Sequence, residues 1–341
     1  MEPGRGDRGS GVTRRQFLIG GGLTLGGLAV AGVAAQRTLP LRQYWYQLTG
    51  QCGPEGPVPE DLAKPAYGTF HSKVLGTDVE YGQWAPSISY PYGFKFPVCY
   101  CLPARGQSPH WVLDDPVYLA DFLAQPGPGG GIPVLDLVAI DGSDTYWHER
   151  ASGEDRMKML LDEFIPWYEG RSEVGGAGRS RSNRAVMGWS MGGYGALLAA
   201  ERRPDLFGAV VAASPALWRS FDDGVGDAFD DERDYAENDV FASIDKLADT
   251  AVRVDCGRAD GFYDAARDFA ARCTELTGNR VAGDFSKGCH DPDYWRRMAA
   301  DELDFVLRSL GKTTRENTQG QAFRAGAAGA GASAASLRRA G

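Results

Sequence analysis

The stretch "RAVMGWSMGGYGALLAA", residues 184–200, sets a serine among glycines where a β-rich run gives way to an alanine- and leucine-rich helix. A serine hydroxyl is a poor nucleophile at neutral pH. It becomes useful when it stands on a sharp turn, beside a histidine that takes its proton and donors that stabilise the developing oxyanion. A strand turning directly into a helix supplies the turn. Gly188 and Gly192, two residues before and two after Ser190, leave room for the chain to fold back without Cβ clashes. Met191 then offers its backbone N–H at a helix N-terminus, where the dipole favours negative charge. Ser190 is thus the candidate nucleophile, and Met191 one candidate oxyanion donor.

The partners can be sought by position. A nucleophile-elbow hydrolase runs in the order serine, acid, histidine. His71, His110 and His148 precede Ser190, and His290 alone follows it, in "FSKGCHDPDYWRR". His71 reads as an exposed strand residue, His110 as a loop histidine, and His148 as a candidate lining of a substrate cleft. The acid is expected between Ser190 and His290, where "VRVDCGRADGFYDAARDF" offers Asp255, Asp260 and Asp264. Asp255 lies on a strand and Asp264 on a helix, whereas Asp260 sits in the intervening loop between Gly257 and Gly261. Asp260 is the favoured acid and Asp255 the reserve. Its task is to hold the imidazole tautomer and stabilise the imidazolium.

These residues need a scaffold that brings loops together. "GTFHSKVLG" and "TDVEYGQWAP" alternate in period two and read as a hairpin. "FPVCYCL" (96–102), "IPVLDLVAI" (132–140), "NRAVMGW" (183–189), "FGAVVAASP" (207–215), "TAVRVDCG" (250–257) and "RVAGDFS" (280–286) read as strands. Helices are expected at 114–125, 154–169, after Ser190, at about 262–276 and at about 293–309. Strands alternating with helices imply an α/β fold with a mostly parallel central sheet covered on both faces. The candidate residues all fall beyond the carboxyl ends of strands, where such sheets bind ligands.

Together, "GWSMGGYGAL", "DCGRADGFY" and "GCHDPDYWRR" resemble the esterase D-like branch of the α/β-hydrolases, a group with S-formylglutathione hydrolases, feruloyl esterases and mycobacterial mycolyltransferases. The likeness spans about residues 68–310. It implies an α/β-hydrolase fold with a nucleophile elbow, a Ser190–Asp260–His290 triad and no cofactor or metal. It also implies a second oxyanion donor after the third strand, where relatives carry His-Gly or Asp-Gly. Here "YCLPARGQS" puts Pro103 and Ala104 there, which makes Arg105 N–H the donor and asks Ala104 to adopt a conformation that glycine usually takes. The acidic, aromatic insertion at about 216–248 reads either as a small cap or as a solvated loop. Trp189, Tyr146, Trp147 and Trp218 are candidates for an apolar acyl pocket.

The ends of the chain carry different information. Arg14-Arg15, with Phe17-Leu18 and a Gly-rich apolar run to about Ala35, resembles a twin-arginine export signal. It implies passage through the twin-arginine translocation machinery, a secreted or cell-envelope location and no stable membrane span once the signal is removed. Residues 36–65 read as a Pro/Gly-rich lead-in, 66–310 as the folded domain, and 311–341 as a disordered tail too poor in large apolar residues to order itself. The net charge of -9 and the lack of a basic stripe argue against nucleic acid as a partner. The six cysteines show no paired CxxC spacing, so most are expected to be plain buried thiols. The sequence therefore points to an exported serine carboxylesterase acting on a small-molecule or lipid ester through an acyl-enzyme. Acyl transfer to a sugar or lipid alcohol and a silent binding scaffold are the alternatives.

Overall fold

The computed structural model describes residues 45–86, 97–125, 133–171 and 180–311. It divides into two compact units, 1–49 and 50–341, and only residues 45–49 of the first are described. The expected export signal at 1–35 and all but the first residue of the expected tail lie outside the described residues. Among those described, no helix is long and apolar enough to cross a membrane.

A seven-stranded sheet in the order β1-β2-β4-β3-β5-β6-β7 organises the larger unit. The expected hairpin is β1 (Ala66–Ser72) against β2 (Thr77–Trp84), antiparallel, and β2 continues antiparallel onto β4 (Asp136–Ile140). From there β4, β3 (Val98–Leu102), β5 (Arg184–Trp189), β6 (Ala209–Ala213) and β7 (Ala251–Asp255) are all parallel. Every residue of β3, β4 and β6 is buried, as a sheet covered on both faces requires. Alternate side chains feed two separate cores. Tyr100, Val138 and Val210 pack on one face, and Cys99, Leu137 and Val211 on the other. The chain leaves β3 for β4 on one side and returns to β5 on the other. This makes the carboxyl ends of β3 and β5 a topological switch point, where a crevice opens.

Three elements differ from the sequence reading. The helix expected over 114–125 is confined to Leu119–Ala124, because Tyr118 turns into the left-handed region at φ 57°; a separate short helix, Pro109–Leu113, precedes it and carries His110. The helix expected over 154–169 forms, but its middle, Met159–Phe164, widens to π geometry just before Pro166. Proline has no N–H to give to the regular ladder, and a π turn ahead of it relieves that conflict. The expected strand at 280–286 shrinks to a single parallel bridge from Arg253 to Ala282. Gly283, at φ 151°, presses so close to β7 that a Cβ there would lie 1.8 Å from the Val254 oxygen.

Residues 52–63 of the lead-in are fastened to the rest of the larger unit. Leu62 and Ala63 N–H both donate to Asp121 at 2.8 Å, and Gly56 N–H donates to Asp293 at 3.0 Å. Cys52 is disulfide-bonded to Cys289 across a sequence separation of 237 residues. In the chain-entropy view a cross-link over so long a loop is worth about 5 kcal/mol at most. The remaining cysteines, Cys99, Cys101, Cys256 and Cys273, are buried free thiols.

One packing contact supports the switch point from beneath. The Trp147 indole is fully buried between two glycines: a Cβ on Gly142 would lie 2.3 Å from its Cζ2, and one on Gly195 2.4 Å from its Cδ1. Gly195 belongs to the helix Met191–Arg202 that follows the candidate nucleophile. Gly→Ala in a helix interior ordinarily stabilises by about 1 kcal/mol. Here Gly195→Ala is expected to destabilise by about 1–3 kcal/mol, since the new methyl must displace a packed indole. A urea denaturation midpoint equal to or above that of the parent would contradict this packing argument.

Candidate active site

The backbone at the end of β5 is bent as far as a side chain permits. Ser190 has φ 55° and ψ −116°, a conformation that costs a non-glycine residue about 1–3 kcal/mol. The surroundings hold it there: Ser190 N–H donates to Ala213 O at 2.9 Å, and its own carbonyl accepts from Tyr194 and Ala216, each at 3.0 Å. The neighbouring glycines allow the fold-back. A Cβ on Gly188 would lie 2.1 Å from the Gly192 oxygen, and one on Gly192 would lie 1.9 Å from the Leu102 oxygen. The elbow is thereby pressed against the end of β3, and the Ser190 side chain remains partly exposed.

The two later candidates meet this serine. His290 Nε2 lies 2.9 Å from Ser190 Oγ, and its Nδ1 lies 2.8 Å from Asp260 Oδ2. A charged Asp260 can only accept, so Nδ1 carries the proton and Nε2 presents its lone pair to the serine hydroxyl. Asp260 is fully buried, which alone would raise its pKa. The His290 charge and hydrogen bond, with the Phe262 N–H at 2.9 Å and the buried Ser214 hydroxyl, outweigh burial and hold the carboxyl below its ordinary value. Burial likewise favours neutral His290, but Asp260 prevails and the imidazole is more basic than an ordinary histidine. Asp255, the reserve acid, is engaged elsewhere. Its carboxylate takes the Arg253 guanidinium at 2.6 and 2.9 Å and the Asp284 N–H at 2.6 Å.

Two backbone N–H groups remain candidates for the oxyanion. Met191 opens its helix, so its N–H has no carbonyl a turn earlier to bond. Beyond β3, Gly106 N–H goes to Ser143 O at 2.8 Å and Gln107 N–H to Ala104 O at 3.0 Å, which leaves the Arg105 N–H outside both turn bonds. Ala104 is not among the residues with positive φ, so the expectation that it must take a glycine-like conformation is overturned. The Arg105 side chain forks onto Asp227 at 2.9 and 2.6 Å.

Aromatic rings line one flank. Centroid separations run from His290 to Phe262 (5.5 Å), from Phe262 to Trp218 (5.4 Å) and from Trp218 to Tyr146 (5.8 Å), with the Arg105 guanidinium 5.7 Å over Tyr146. Tyr146 and Trp218 thus belong to a chain of rings that begins at His290. Trp189 and Trp147 do not line a pocket: both are fully buried, Trp189 against Trp111 on the far side of the sheet and Trp147 between its glycines. Large rings at strand ends were drawn into the core instead. His148 is also buried, with Nε2 3.0 Å from Ala228 O and Nδ1 3.2 Å from Glu149 O, so it fastens the insertion and lines no cleft.

The insertion at 216–248 is not a solvated loop. Leu217, Val225, Phe229 and Ile244 are buried in the core, and Arg150 holds Ala228 O, Asp227 O and the Asp230 carboxylate. The pairing of Arg105 with Asp227 had no sequence signal, because nothing local marks a partner 122 residues away.

Similarities to known proteins follow this geometry. The family model "Putative esterase" matches residues 141–303. No curated protein sequence matches the chain. Among solved structures, a ferulic acid esterase is 24% identical with a TM-score of 0.61, over 72% of this chain and 98% of its own. The substrate-bound fluorophosphonate-binding serine hydrolase F of Staphylococcus aureus is 15% identical with a TM-score of 0.58, over 73% and 99%. An S-formylglutathione hydrolase from Agrobacterium tumefaciens is 16% identical with a TM-score of 0.56, over 76% and 99%. The fold is that of the α/β-hydrolases, and the resemblance carried by the three motifs is borne out.

The electrostatics can be checked without any substrate. Replacing Asp260 with Asn removes the charge that opposes burial of the imidazolium. In Asp260→Asn the His290 titration midpoint, followed by imidazole NMR, is expected to fall below that of the parent protein. An unchanged midpoint would mean that Asp260 does not govern His290.

Proposed function

We propose that this chain is an exported serine carboxylesterase that works through an acyl-enzyme. The unbroken line of hydrogen bonds from Asp260 through His290 to Ser190 is the observation that carries this reading. The match to the "Putative esterase" model supports ester hydrolysis as the reaction. Export is supported by the Arg14-Arg15 segment and by the Cys52–Cys289 disulfide, a bond that persists in oxidising compartments.

In this mechanism His290 Nε2 takes the Ser190 proton as Oγ attacks the ester carbonyl carbon. The carbonyl oxygen becomes an oxyanion between the Met191 and Arg105 N–H groups, where the helix dipole and fixed donors meet the new charge. Collapse breaks the bond to the alkoxy oxygen, and the imidazolium returns the proton to the departing alcohol. Water then gives a proton to His290 as it attacks the acyl carbon, and on collapse the imidazolium returns that proton to Ser190 Oγ as the acid leaves. Asp260 stabilises the imidazolium in both halves without taking its proton. Phe262, Trp218 and Tyr146 bound the site on one flank with apolar surface, which suits an aromatic or otherwise apolar acyl group. Acyl transfer to a sugar or lipid alcohol shares the first half-reaction and differs only in the acceptor, so product analysis with and without such an acceptor separates the two.

A fluorophosphonate probe should label the parent protein, and Ser190→Ala should lose both labelling and at least about 10⁴-fold in p-nitrophenyl ester turnover. A parent protein that neither labels nor hydrolyses any ester of the series would disprove the reading. The pH dependence has a fixed sign. Only neutral His290 can accept the serine proton, and Asp260 raises the pKa of His290. kcat/KM is therefore expected to climb with pH through a midpoint above about 6.5, the ordinary histidine value. A profile flat from about pH 5 to 8 would exclude His290 as the base.

A further inference from the structure

We infer that residues 52–63 form a strap that positions the general base, acting through the Cys52–Cys289 disulfide; this rests on the esterase reading above. Cys289 immediately precedes His290 and is fully buried. Its disulfide ties the backbone next to the base to a segment 237 residues earlier in the chain. The strap is fastened along its length. Arg297 donates to Pro54 O, to Cys52 O at 3.0 Å and to Lys287 O at 3.1 Å, so one guanidinium joins the strap to the start of the histidine loop. Asp293, in the first turn of the helix that follows His290, accepts from Gly56 N–H at 3.0 Å. The far end is held by Asp121, through Leu62 and Ala63.

The histidine loop has other supports, and they divide by side. Ala259 N–H donates to Gly288 O at 2.9 Å, which ties the loop to the segment carrying Asp260. Asp291 caps the helix Pro292–Leu310 by accepting from Tyr294 N–H at 3.0 Å. The Trp295 ring meets the imidazole at 5.3 Å. The disulfide is the covalent restraint among these supports, at the residue whose displacement would carry Nε2 away from Ser190. Losing it is expected to impair proton transfer while leaving substrate binding intact.

The test compares the parent protein, Cys52→Ser, the parent reduced by a dithiol, and Asp121→Ala. The dithiol gives two electrons and two protons to the sulfur pair and is itself oxidised to a disulfide. At a temperature where circular dichroism shows each form folded, Cys52→Ser and the reduced parent should lose about 10- to 100-fold in kcat, with KM within about twofold. The rate of fluorophosphonate labelling at Ser190 should fall in parallel, and the acid limb of the pH profile should move to lower pH as His290 slips from Asp260. Reoxidation should restore both. Asp121→Ala, which removes the acceptor and frees only the far end, should lower the melting temperature and leave kcat unchanged. Equal kcat and labelling rate with and without the disulfide would overturn the inference while leaving the esterase reading intact. So would a loss confined to KM, or failure of both disulfide-free forms to fold, which would make the bond a plain staple. A parent protein that never labels would instead sink the esterase reading.

Discussion

At Gly192 the elbow helix lies so close to the end of β3 that one added carbon would sit 1.9 Å from the Leu102 oxygen. That backbone-to-backbone approach is the constraint on which the site depends. It fixes where the helix begins, hence where Met191 N–H points, and it sets the loop after β3 directly beside Ser190. The strained serine is a consequence of the same contact, since the chain has no other way to leave a central strand and enter a helix against its neighbour. The compensation is distributed: Ala213, Tyr194 and Ala216 each spend an ordinary backbone bond on holding the turn.

The second constraint is electrostatic. Asp260 keeps its charge while fully buried in an acidic protein, which is possible only because His290 and the Phe262 N–H stand against it. Asp255, five residues earlier and equally buried, keeps different company in Arg253. Two aspartates on one strand-and-loop segment thus have separate duties, one serving the imidazole and the other joining β7 to the segment that leads to His290. The sheet edge and the acid of the site are built from the same few residues.

The parts legible from sequence were those whose chemistry is local. Gly188 and Gly192 declare the elbow by their spacing, and the loop position of Asp260 separates it from Asp255 because a strand residue points where the strand dictates. His290 was distinguished by chain order alone. Tryptophans misled, since an indole at a strand end satisfies the core as readily as a cleft: Trp147 and Trp189 are packed inside, while Trp218 joins a chain of rings that begins at His290. The strand expected at 280–286 is reduced to one bridge, with Asp284 N–H taken by the Asp255 carboxylate, although Cys256 and Arg258 N–H still donate to the Asp284 and Ser286 carbonyls. Long-range partners left no trace in the sequence. Neither Cys52 with Cys289 nor Arg105 with Asp227 can be inferred from its immediate neighbours, because what joins them is the fold itself.

Arg105 occupies two places at once. Its backbone N–H is the proposed oxyanion donor, and its side chain grips Asp227 of the insertion. In that reading insertion and donor are interlocked through a single residue, and a substrate that pushes the insertion outward also drags the donor off the developing charge. Discrimination between substrates is then exercised in turnover more than in affinity, because a poor fit is felt where the transition state is held. Changes in the insertion alone could retune which ester is favoured while the serine, histidine and aspartate stay as they are.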